Sequence, residues 1–245
     1  MSPGSAPYTP LSAQVALVTG ASRGIGAAIA RRLATMGATI VLTARSADAL
    51  THTAQSIREN GGLCEAVPCD ITNLAQVEAL GRAVEKKFGR LDILVNNAGI
   101  GFTSAKLYDL SPDEFDRILH TNLRGPYYMV RTFAPLMVRA NSGHIINISS
   151  LAGKNPLPNG AAYAASKWGL DGLCYSLAEE LRGNNIRVSV ISPGSVATEF
   201  GGGHSGKNES RMLQPDDVAH AVAMLVTQST NSFISDLNIR PTQKP

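Results

Sequence analysis

Two kinds of segment alternate along this chain in their pattern of hydrophobic and polar positions. Short runs in which nearly every residue is apolar, such as 15–18 and 91–95, are typical of parallel strands buried on both faces. Between them lie longer segments with an apolar stripe at helical spacing, for example at Leu74, Val77 and Leu80. The pattern therefore predicts strands and helices that follow one another within one α/β domain.

The predicted elements cover almost the whole sequence. We predict strands near residues 15–18, 39–43, 63–68, 91–95, 144–149, 186–191 and 233–239. The intervening helices are predicted to end near residues 36, 60, 89, 140, 183 and 227. Asn122 and Gly125-Pro126 predict a kink within the long helix 111–140, which would free backbone groups for water.

This order of elements favours a Rossmann-type fold. We expect a doubly wound, mostly parallel seven-stranded sheet with helices on both faces and its ligand at the carboxyl edge. Residues 1–10 are rich in Pro, Ser and Gly and are predicted to be a flexible tail, so that residues 11–245 form the single domain.

Composition excludes several classes of protein. A hydrophobic content of 44% with 17% charged residues is typical of a globular chain, and the net charge of +3 is dispersed, which argues against nucleic-acid binding. No apolar run approaches the ~20 residues that span a bilayer, so no membrane partner is expected. Three cysteines without a C-x-x-C indicate reduced thiols and a cytoplasmic protein. Five histidines without metal-like spacing predict no metal site.

A glycine-rich turn lies between the first predicted strand and its helix, in the sequence Thr19–Gly26. Glycines at this position permit a tight turn and close backbone approach, so that amides at the start of the helix can hold a pyrophosphate. The alternative is a merely structural turn. The placement of the glycine-rich turn between strand and helix favours a dinucleotide site over this alternative.

Two arginines indicate which dinucleotide would bind. Arg45 stands at the end of the second strand, where an Asp or Glu would bond the ribose 2′-hydroxyl of NAD, and Arg23 lies in the glycine-rich turn. Guanidinium groups pair well with phosphate, so the two favour NADP(H). The alternative is that both are solvated surface arginines, and Asp48 is placed where it would neutralise Arg45.

Tyr163 and Lys167 are four residues apart on a predicted helix and therefore share one face. A neighbouring ammonium favours the phenolate, which would make Tyr163 a general acid tuned by Lys167. Ser150 would supply a second donor towards a substrate oxygen. The alternative is the polar face of an ordinary surface helix.

Two further polar segments follow predicted strands. Asp70 would bond an adenine amino group or cap the helix that begins near Asn73, and capping is the safer expectation. Residues 96–99 (Asn-Asn-Ala-Gly) are either turn residues or part of a ligand site at the carboxyl edge.

Together these residues resemble the short-chain dehydrogenase/reductase family, in its short single-domain branch. The resemblance covers the chain from about residue 14, and Ser150 stands thirteen residues before Tyr163, the usual family spacing. The chain is also generally similar to beta-ketoacyl carrier-protein reductases, but it ends in Asn238-Ile239-Arg240-Pro241 where many relatives have an Asp-Gly-Gly tail. The matching positions are Thr19 to Gly26, Asp70, Asn96 to Gly99, Asn122, Ser150, Tyr163, Lys167 and Pro193-Gly194.

The resemblance implies a role for each catalytic residue. Tyr163 would exchange a proton with the carbonyl oxygen, Ser150 would hold the developing oxyanion, and Lys167 would bond the nicotinamide ribose and depress the pKa of Tyr163. Asn122 would anchor a water relay, and Thr198 would meet the nicotinamide carboxamide. The expected cofactor contacts are Gly20, Ser22, Arg23, Gly24, Ile25, Gly26, Arg45, Asp70, Ile71, Asn97, Ala98, Gly99, Tyr163, Lys167, Pro193, Gly194, Val196 and Thr198.

The expected function is an NADP(H)-dependent oxidoreductase that reduces a ketone or 3-oxo carbonyl to a secondary alcohol, or runs the reverse reaction. The alternatives are an NAD(H)-dependent alcohol dehydrogenase of the same fold and a non-catalytic NADP(H)-binding regulator. A homo-oligomer, either a dimer or a tetramer, is expected, because helices of this kind pair between subunits in the family and commonly give tetramers. The glycine-rich segment after Thr198 is interpreted as a mobile lid, and its His204 is the one histidine expected to touch substrate. Four residues are interpreted either as the lining of an apolar pocket or as ordinary loop residues, namely Phe102, Leu157, Pro158 and Phe200.

Overall fold

The computed structural model describes residues 9–101, 104–200 and 208–245. Strands and helices alternate along them, as the sequence pattern predicts. The strands are β1 (Val15–Thr19), β2 (Thr39–Thr43), β3 (Cys64–Ala66), β4 (Ile93–Asn96), β5 (Gly143–Ile148), β6 (Ile186–Pro193) and β7 (Asp236–Ile239). The α-helices are α1 (Gly24–Thr35), α2 (Ala47–Glu59), α3 (Leu74–Phe88), α4 (Pro112–Leu119), α5 (Gly125–Ala140), α6 (Ala161–Leu181) and α7 (Pro215–Val226).

The described strands form one seven-stranded sheet in the order β3-β2-β1-β4-β5-β6-β7. Every pairing in it is parallel. The predicted Rossmann-type sheet is thereby confirmed. Strands β1 to β3 are added towards one edge of the sheet, and β4 to β7 are added towards the other edge, starting beside β1. The strand order therefore reverses between β1 and β4, and a crevice is expected at the carboxyl ends of these two strands.

Side chains of the central strands alternate between two hydrophobic layers. Ala16 and Val18 of β1 pack on the layer that contains α1, α2 and α7. Val15 and Leu17 of the same strand pack on the layer that contains α3, α5 and α6. Because both faces are covered, the strand is apolar throughout, which explains why the sequence shows a continuous apolar run there.

Local sequence sets the ends of several helices. Ser111 caps α4 by accepting a hydrogen bond from the Glu114 amide, and Pro112 follows at the first helical position. Asn73 caps α3 in the same way, accepting from the Gln76 amide. Gly89 ends α3 with a positive φ of 69°, a conformation that glycine adopts without steric cost.

The long helix predicted over residues 111–140 is divided by a wider turn. Helices α4 and α5 are joined through the π-helical turn His120–Arg124, in which the Gly125 amide donates to the His120 carbonyl. The irregularity predicted around Asn122 is therefore a change of helical pitch. Pro126 lies in the first turn of α5 and does not interrupt the helix that follows it.

Most of the predicted N-terminal tail, residues 1–8, lies outside the described residues. The chain next to it is held by the domain, because the Leu11 amide donates to the Met36 carbonyl and the Leu11 side chain is buried. None of the helices in the described parts of the chain is long and apolar enough to cross a membrane.

His144 is a buried histidine at the amino end of β5. Its Nε2 lies 2.9 Å from Oγ of Ser189 on β6, and only 1% of the residue is exposed. Burial, together with the charge of Arg187, lowers the pKa of His144 to about 3. The native protein therefore holds this imidazole neutral over the whole range in which a free histidine titrates.

We expect this histidine to make the protein sensitive to mild acid. The unfolded chain binds a proton at His144 near pH 6.5, whereas the native state does so only near pH 3, so protonation favours unfolding between these values. The free energy of unfolding should fall by about 2 kcal/mol more in the wild type than in His144→Gln between about pH 7.5 and pH 5. Urea denaturation at the two pH values measures the difference.

The variant His220→Gln, on the exposed side of α7, is the control for removal of a histidine as such. Equal pH dependence in the wild type and His144→Gln would contradict the prediction.

Candidate active site

A cleft of about 2000 Å³ runs along the carboxyl edge of the sheet. All the predicted cofactor contacts line it, and so do Ser150, Leu157, Pro158 and Phe200. Asn122 does not, because it is fully buried behind the cleft. Phe102 and His204, and the lid segment 201–207, lie outside the described residues. Residues that follow each of the seven described strands thus line one cleft.

The glycine-rich loop between β1 and α1 is packed too tightly for side chains. A Cβ atom on Gly26 would lie 2.3 Å from the Gly20 carbonyl oxygen, and one on Gly20 would lie 2.9 Å from the Ala98 Cα. Gly20 also has a positive φ of 65°. Glycine is therefore required here for the close approach of the backbone segments as well as for the turn itself.

Asn97 holds the same loop against the end of β4. Its side-chain amide donates to the Thr19 carbonyl at 2.9 Å, and the amides of Asn97 and Ala98 both donate to the Thr19 hydroxyl at 2.9 Å. The Asn-Asn-Ala-Gly segment thus stabilises the glycine-rich loop through these hydrogen bonds. Its position at the carboxyl edge also makes it a wall of the cleft.

The start of α1 fits an anionic group. Arg23 occupies the N-cap position and its side chain makes no capping hydrogen bond, so the first amides of the helix face the cleft without an intrahelical acceptor. Backbone amides at a helix N-terminus favour phosphate. The residues present therefore fit a pyrophosphate between the glycine-rich loop and the end of β4.

The two arginines differ in their surroundings. Arg23 pairs with Glu199 across the cleft, and the two side chains are 73% and 76% exposed. Arg45 is exposed at the carboxyl end of β2, and within the described part of the chain it forms no ion pair with Asp48. Arg45 is therefore available to pair with an anionic ligand at its end of the cleft. Arg23 could pair with such a ligand only by releasing Glu199 or by contacting both groups.

Asp70 does not cap α3, so the safer of the two expectations for it is wrong. Its carboxylate accepts from the amide and the hydroxyl of Thr72, at 2.9 and 2.8 Å, and Asn73 supplies the cap. The short Asp70 side chain reaches the backbone and hydroxyl of Thr72, two residues later, more readily than it reaches the start of α3. Asp70 still lines the cleft, where the adenine role remains a proposal.

Asn122 lies in the π-helical turn and is occupied by protein partners. Its Oδ1 accepts from the Ile100 amide at 2.8 Å, and its Nδ2 donates to the Ile100 carbonyl and to Ser166 Oγ. The side chain therefore ties the strand-β4 loop to α6. Any contact with a water relay would have to come through its backbone.

Ser150 and Tyr163 meet at the base of the cleft. Ser150 begins a 3-10 turn, and its hydroxyl accepts from the Ala152 amide at 3.1 Å. Burial raises the pKa of Tyr163 to about 12, and a hydrogen bond with Ser150 partly opposes this effect. Tyr163 is therefore a neutral phenol here, in the form that donates a proton.

Lys167 lies beneath Tyr163 on the same face of α6. Its Nζ donates to the Ile148 carbonyl at 3.0 Å and lies 5.8 Å from the centre of the Tyr163 ring. Burial lowers the pKa of Lys167 to about 8, and the charge of Asp171 opposes this shift. In this structure burial outweighs any influence of Lys167 on Tyr163, so the pKa of the phenol is raised and not depressed as expected from the sequence.

The segment after β6 closes the other side of the cleft. The Gly194 amide donates to the Ile239 carbonyl, and the amides of Ala197 and Leu213 join the loop to the segment before α7. Thr198 approaches the glycine-rich loop, since a Cβ on Gly24 would lie 3.3 Å from its methyl group. The Phe200 ring packs edge-on against Tyr163 with 6.1 Å between ring centres.

Comparison with known proteins identifies the family. The sequence model of the short chain dehydrogenase family matches residues 14–208. This chain belongs to the short-chain dehydrogenase family. An uncharacterized oxidoreductase of Staphylococcus aureus is 34% identical over 233 residues, which cover 95% of this chain and 99% of the relative.

Two solved structures of short-chain dehydrogenase type are similar over nearly the whole chain. A metagenomic short-chain oxidoreductase in complex with NADP is 48% identical, with a TM-score of 0.86, and the match covers 96% of this chain and 100% of that one. An alcohol dehydrogenase from the archaeon Thermococcus sibiricus, complexed with 5-hydroxy-NADP, is 33% identical with a TM-score of 0.88 over 95% and 98% of the two chains. Family membership supports oxidoreduction between alcohol and carbonyl groups with a nicotinamide cofactor.

This short-chain dehydrogenase also has cleft residues that sequence reasoning missed. Arg240, just after β7, and Met212, before α7, both line the cleft. The departure of the C-terminal tail from the family pattern was the available signal for Arg240. No pattern marks Met212, because the loop in which it lies reaches the cleft only through tertiary packing. Among the described residues, no group of three or more His, Cys, Asp or Glu side chains is placed to hold a metal ion.

Proposed function

We propose that this protein is an NADP(H)-dependent oxidoreductase that reduces a ketone or 3-oxo carbonyl to a secondary alcohol, or catalyses the reverse reaction. One observation carries the proposal. Ser150, Tyr163 and Lys167 lie at the base of a cleft whose other end is the anion-binding start of α1. A proton donor beside a dinucleotide cradle is the minimum that hydride transfer to a carbonyl requires.

In this proposal each residue acts on the carbonyl oxygen or on its neighbour. Tyr163 gives the oxygen its proton, which its neutral phenol form allows, and Ser150 donates a hydrogen bond to the developing negative charge. Lys167 bonds the ribose and stabilises the phenolate once the proton has left. The bound nicotinamide supplies the hydride. Asn122 fixes the turn beside Ile100 and thereby the wall that faces Lys167.

The preference for the phosphorylated cofactor rests on charge. Arg45 is exposed at the end of β2, where an acidic residue would select the unphosphorylated ribose, and Arg23 is nearby. The metagenomic relative and the Thermococcus sibiricus enzyme are both described in complexes with NADP or its hydroxy derivative. These observations support NADP(H) for this chain.

The acid role of Tyr163 is tested by Tyr163→Phe. The variant should lose turnover of a panel of ketones, beta-ketoesters and quinones by about 100-fold or more, because positioned proton transfer contributes roughly that factor. It should still bind NADPH, measured by fluorescence titration, since only a hydroxyl is removed. Tyr108→Phe, which changes a tyrosine that is 78% exposed and does not line the cleft, is the matched control.

Two results would argue against this assignment. Retained turnover in Tyr163→Phe would refute Tyr163 as the acid. A wild-type protein that binds NADPH tightly but turns over nothing on the panel would favour the non-catalytic regulator. The intact set of Asn122, Ser150, Tyr163 and Lys167 speaks against that alternative, because a protein that only binds cofactor has no chemical use for it.

Cofactor preference is tested by Arg45→Asp. Removing the guanidinium and adding a carboxylate should weaken NADPH binding by about 10-fold or more and shift the ratio of kcat/KM towards NADH, because a charged hydrogen bond is worth roughly 1.5–3 kcal/mol. Kinetics with both cofactors measure the ratio. Arg82→Asp changes the same charge on an exposed part of α3 away from the cleft. An unchanged ratio in Arg45→Asp would contradict the argument that Arg45 selects the phosphorylated cofactor.

We further propose that the protein is a homo-oligomer of the cytoplasm. Aromatic side chains project from the outer helices, with Tyr127 on α5 45% exposed and Trp168 on α6 54% exposed. Such a surface is typical of a subunit contact. Light scattering should give a mass at least twice 25.8 kDa, and a monomeric mass would contradict the proposal. The three free cysteines support a reducing compartment.

A further inference from the structure

A cluster of charged residues lies directly behind the catalytic residues, on the side away from the cleft. Lys154, just after the 3-10 turn that Ser150 begins, forms ion pairs with Asp171 of α6 and Asp236 of β7. Its Nζ is 2.9 Å from the Asp171 carboxylate. Tyr175 of α6 bonds to both Lys154 and Asp236. None of these residues belongs to the catalytic set.

Asp171 is the member of this cluster that faces Lys167. The two residues are four apart on α6, so they lie on the same face with roughly 5–6 Å between their Cβ atoms. Both are almost completely buried, with 3% of Asp171 and 4% of Lys167 exposed. Solvent therefore screens the attraction between them very little.

The Asp171 carboxylate also packs against the turn that carries the catalytic serine. A Cβ atom on Gly153 would lie 2.9 Å from Asp171 Oδ2 and 3.2 Å from the carbonyl carbon of Lys167. Gly153 ends the 3-10 turn that begins at Ser150. Only a glycine leaves room for this contact, so the carboxylate is held between the serine turn and the helix that bears Tyr163.

The charges around Lys167 are few. Among the described residues, the titratable groups facing it from α6 are Tyr163, Asp171 and Cys174, and from the turn after β5 Lys154 acts through Asp171. From the loop after β4, Gly99 approaches its Nζ, and from β5 the Ile148 carbonyl accepts a hydrogen bond from it. Within the described ranges, Asp171 is therefore the nearby carboxylate that balances the buried ammonium.

Lys154 fixes the Asp171 carboxylate without fully neutralising it. Although burial works in the other direction, the hydrogen bonds that Lys154 donates to Asp236 and Tyr175, together with the Asp171 carboxylate, raise the pKa of Lys154, so its charge is permanent. That charge is shared between two carboxylates, Asp171 and Asp236. One negative charge in the cluster is consequently left for Lys167.

We infer that Asp171, clamped by Lys154, is a positioning residue that keeps Lys167 in its ammonium form beneath Tyr163. The inference deepens the proposed function and rests on it, because it assigns Asp171 a part in the proton chemistry of the same site. Burial by itself favours a neutral amine at Lys167, and a neutral amine cannot stabilise the phenolate that Tyr163 becomes.

Titration of the Lys167 side chain tests this inference without turnover. The chain has only seven lysines, so protein labelled with ¹³C at lysine Cε gives few NMR signals, and Lys167→Arg identifies the signal of interest. In Asp171→Asn the titration midpoint of Lys167 should fall by about one pH unit or more, because an adjacent opposite charge shifts a pKa by roughly 1–3 units.

Two further variants separate an electrostatic role from a structural one. Lys154→Met should raise the Lys167 midpoint, because Asp171 then has no other cation. If the ion pair between Lys154 and Asp171 were merely structural, its loss would shift the Lys167 midpoint in the same direction in Asp171→Asn and in Lys154→Met. Asp236→Asn removes the other carboxylate that pairs with Lys154, and this carboxylate lies on β7 and not on α6 beside Lys167. It should therefore shift the Lys167 midpoint less than Asp171→Asn does.

An unchanged Lys167 midpoint in Asp171→Asn would overturn the inference. If that variant does not fold, Lys154→Met decides, since a midpoint that stays or falls there would also overturn it. The pH profile of kcat gives a second readout, in which the alkaline limb of Asp171→Asn should move to lower pH. A wild type without turnover would refute the proposed function but leave the lysine titration readable.

Discussion

The junction between β1 and β4 is the contact on which the rest of the site depends. The order in which the chain adds strands reverses there, and the Thr19 hydroxyl accepts from two consecutive amides at the end of β4. Asn97 returns a hydrogen bond to the Thr19 carbonyl. These bonds hold the glycine-rich loop so close to the neighbouring backbone that no side chain fits at Gly20 or Gly26. Because no side chains project from these two positions, the backbone itself forms this part of the cleft surface.

Burial acts in opposite directions on the pKa values of Tyr163 and Lys167, the two side chains to which we assign the proton chemistry. It raises the pKa of Tyr163 and so keeps a phenol neutral, and it lowers the pKa of Lys167 and so weakens an ammonium. In the proposed reaction the first effect suits a proton donor, whereas the second works against stabilising the phenolate that Tyr163 would become. The role that we infer for Asp171, paired with Lys154, is to offset this loss of positive charge at Lys167. The site therefore includes more than the residues that line the cleft.

Much of the fold could be predicted because it depends on local rules. Apolar runs marked the strands, and a serine before a proline marked the start of α4. Predictions failed where two local choices compete. Asp70 and Asn73 are both good caps, and the backbone geometry selects Asn73, with Asp70 bonding Thr72. The π-helical turn at Asn122 was likewise beyond a pattern that records only polarity, since its side chain is fixed by Ile100, which lies 22 positions earlier in the chain.

The sequence by itself determined the order of the elements, the class of fold, and the set of residues at the carboxyl ends of the strands. It did so because strand burial, helix capping and glycine turns are encoded within a few neighbouring positions. The tertiary structure alone decided how the chemistry is tuned. The pairing of Arg23 with Glu199, the place of Arg240 in the cleft and the closeness of Asp171 to the Ser150 turn join residues far apart in sequence. Electrostatic effects depend on distance and burial, and neither quantity exists until the chain has folded.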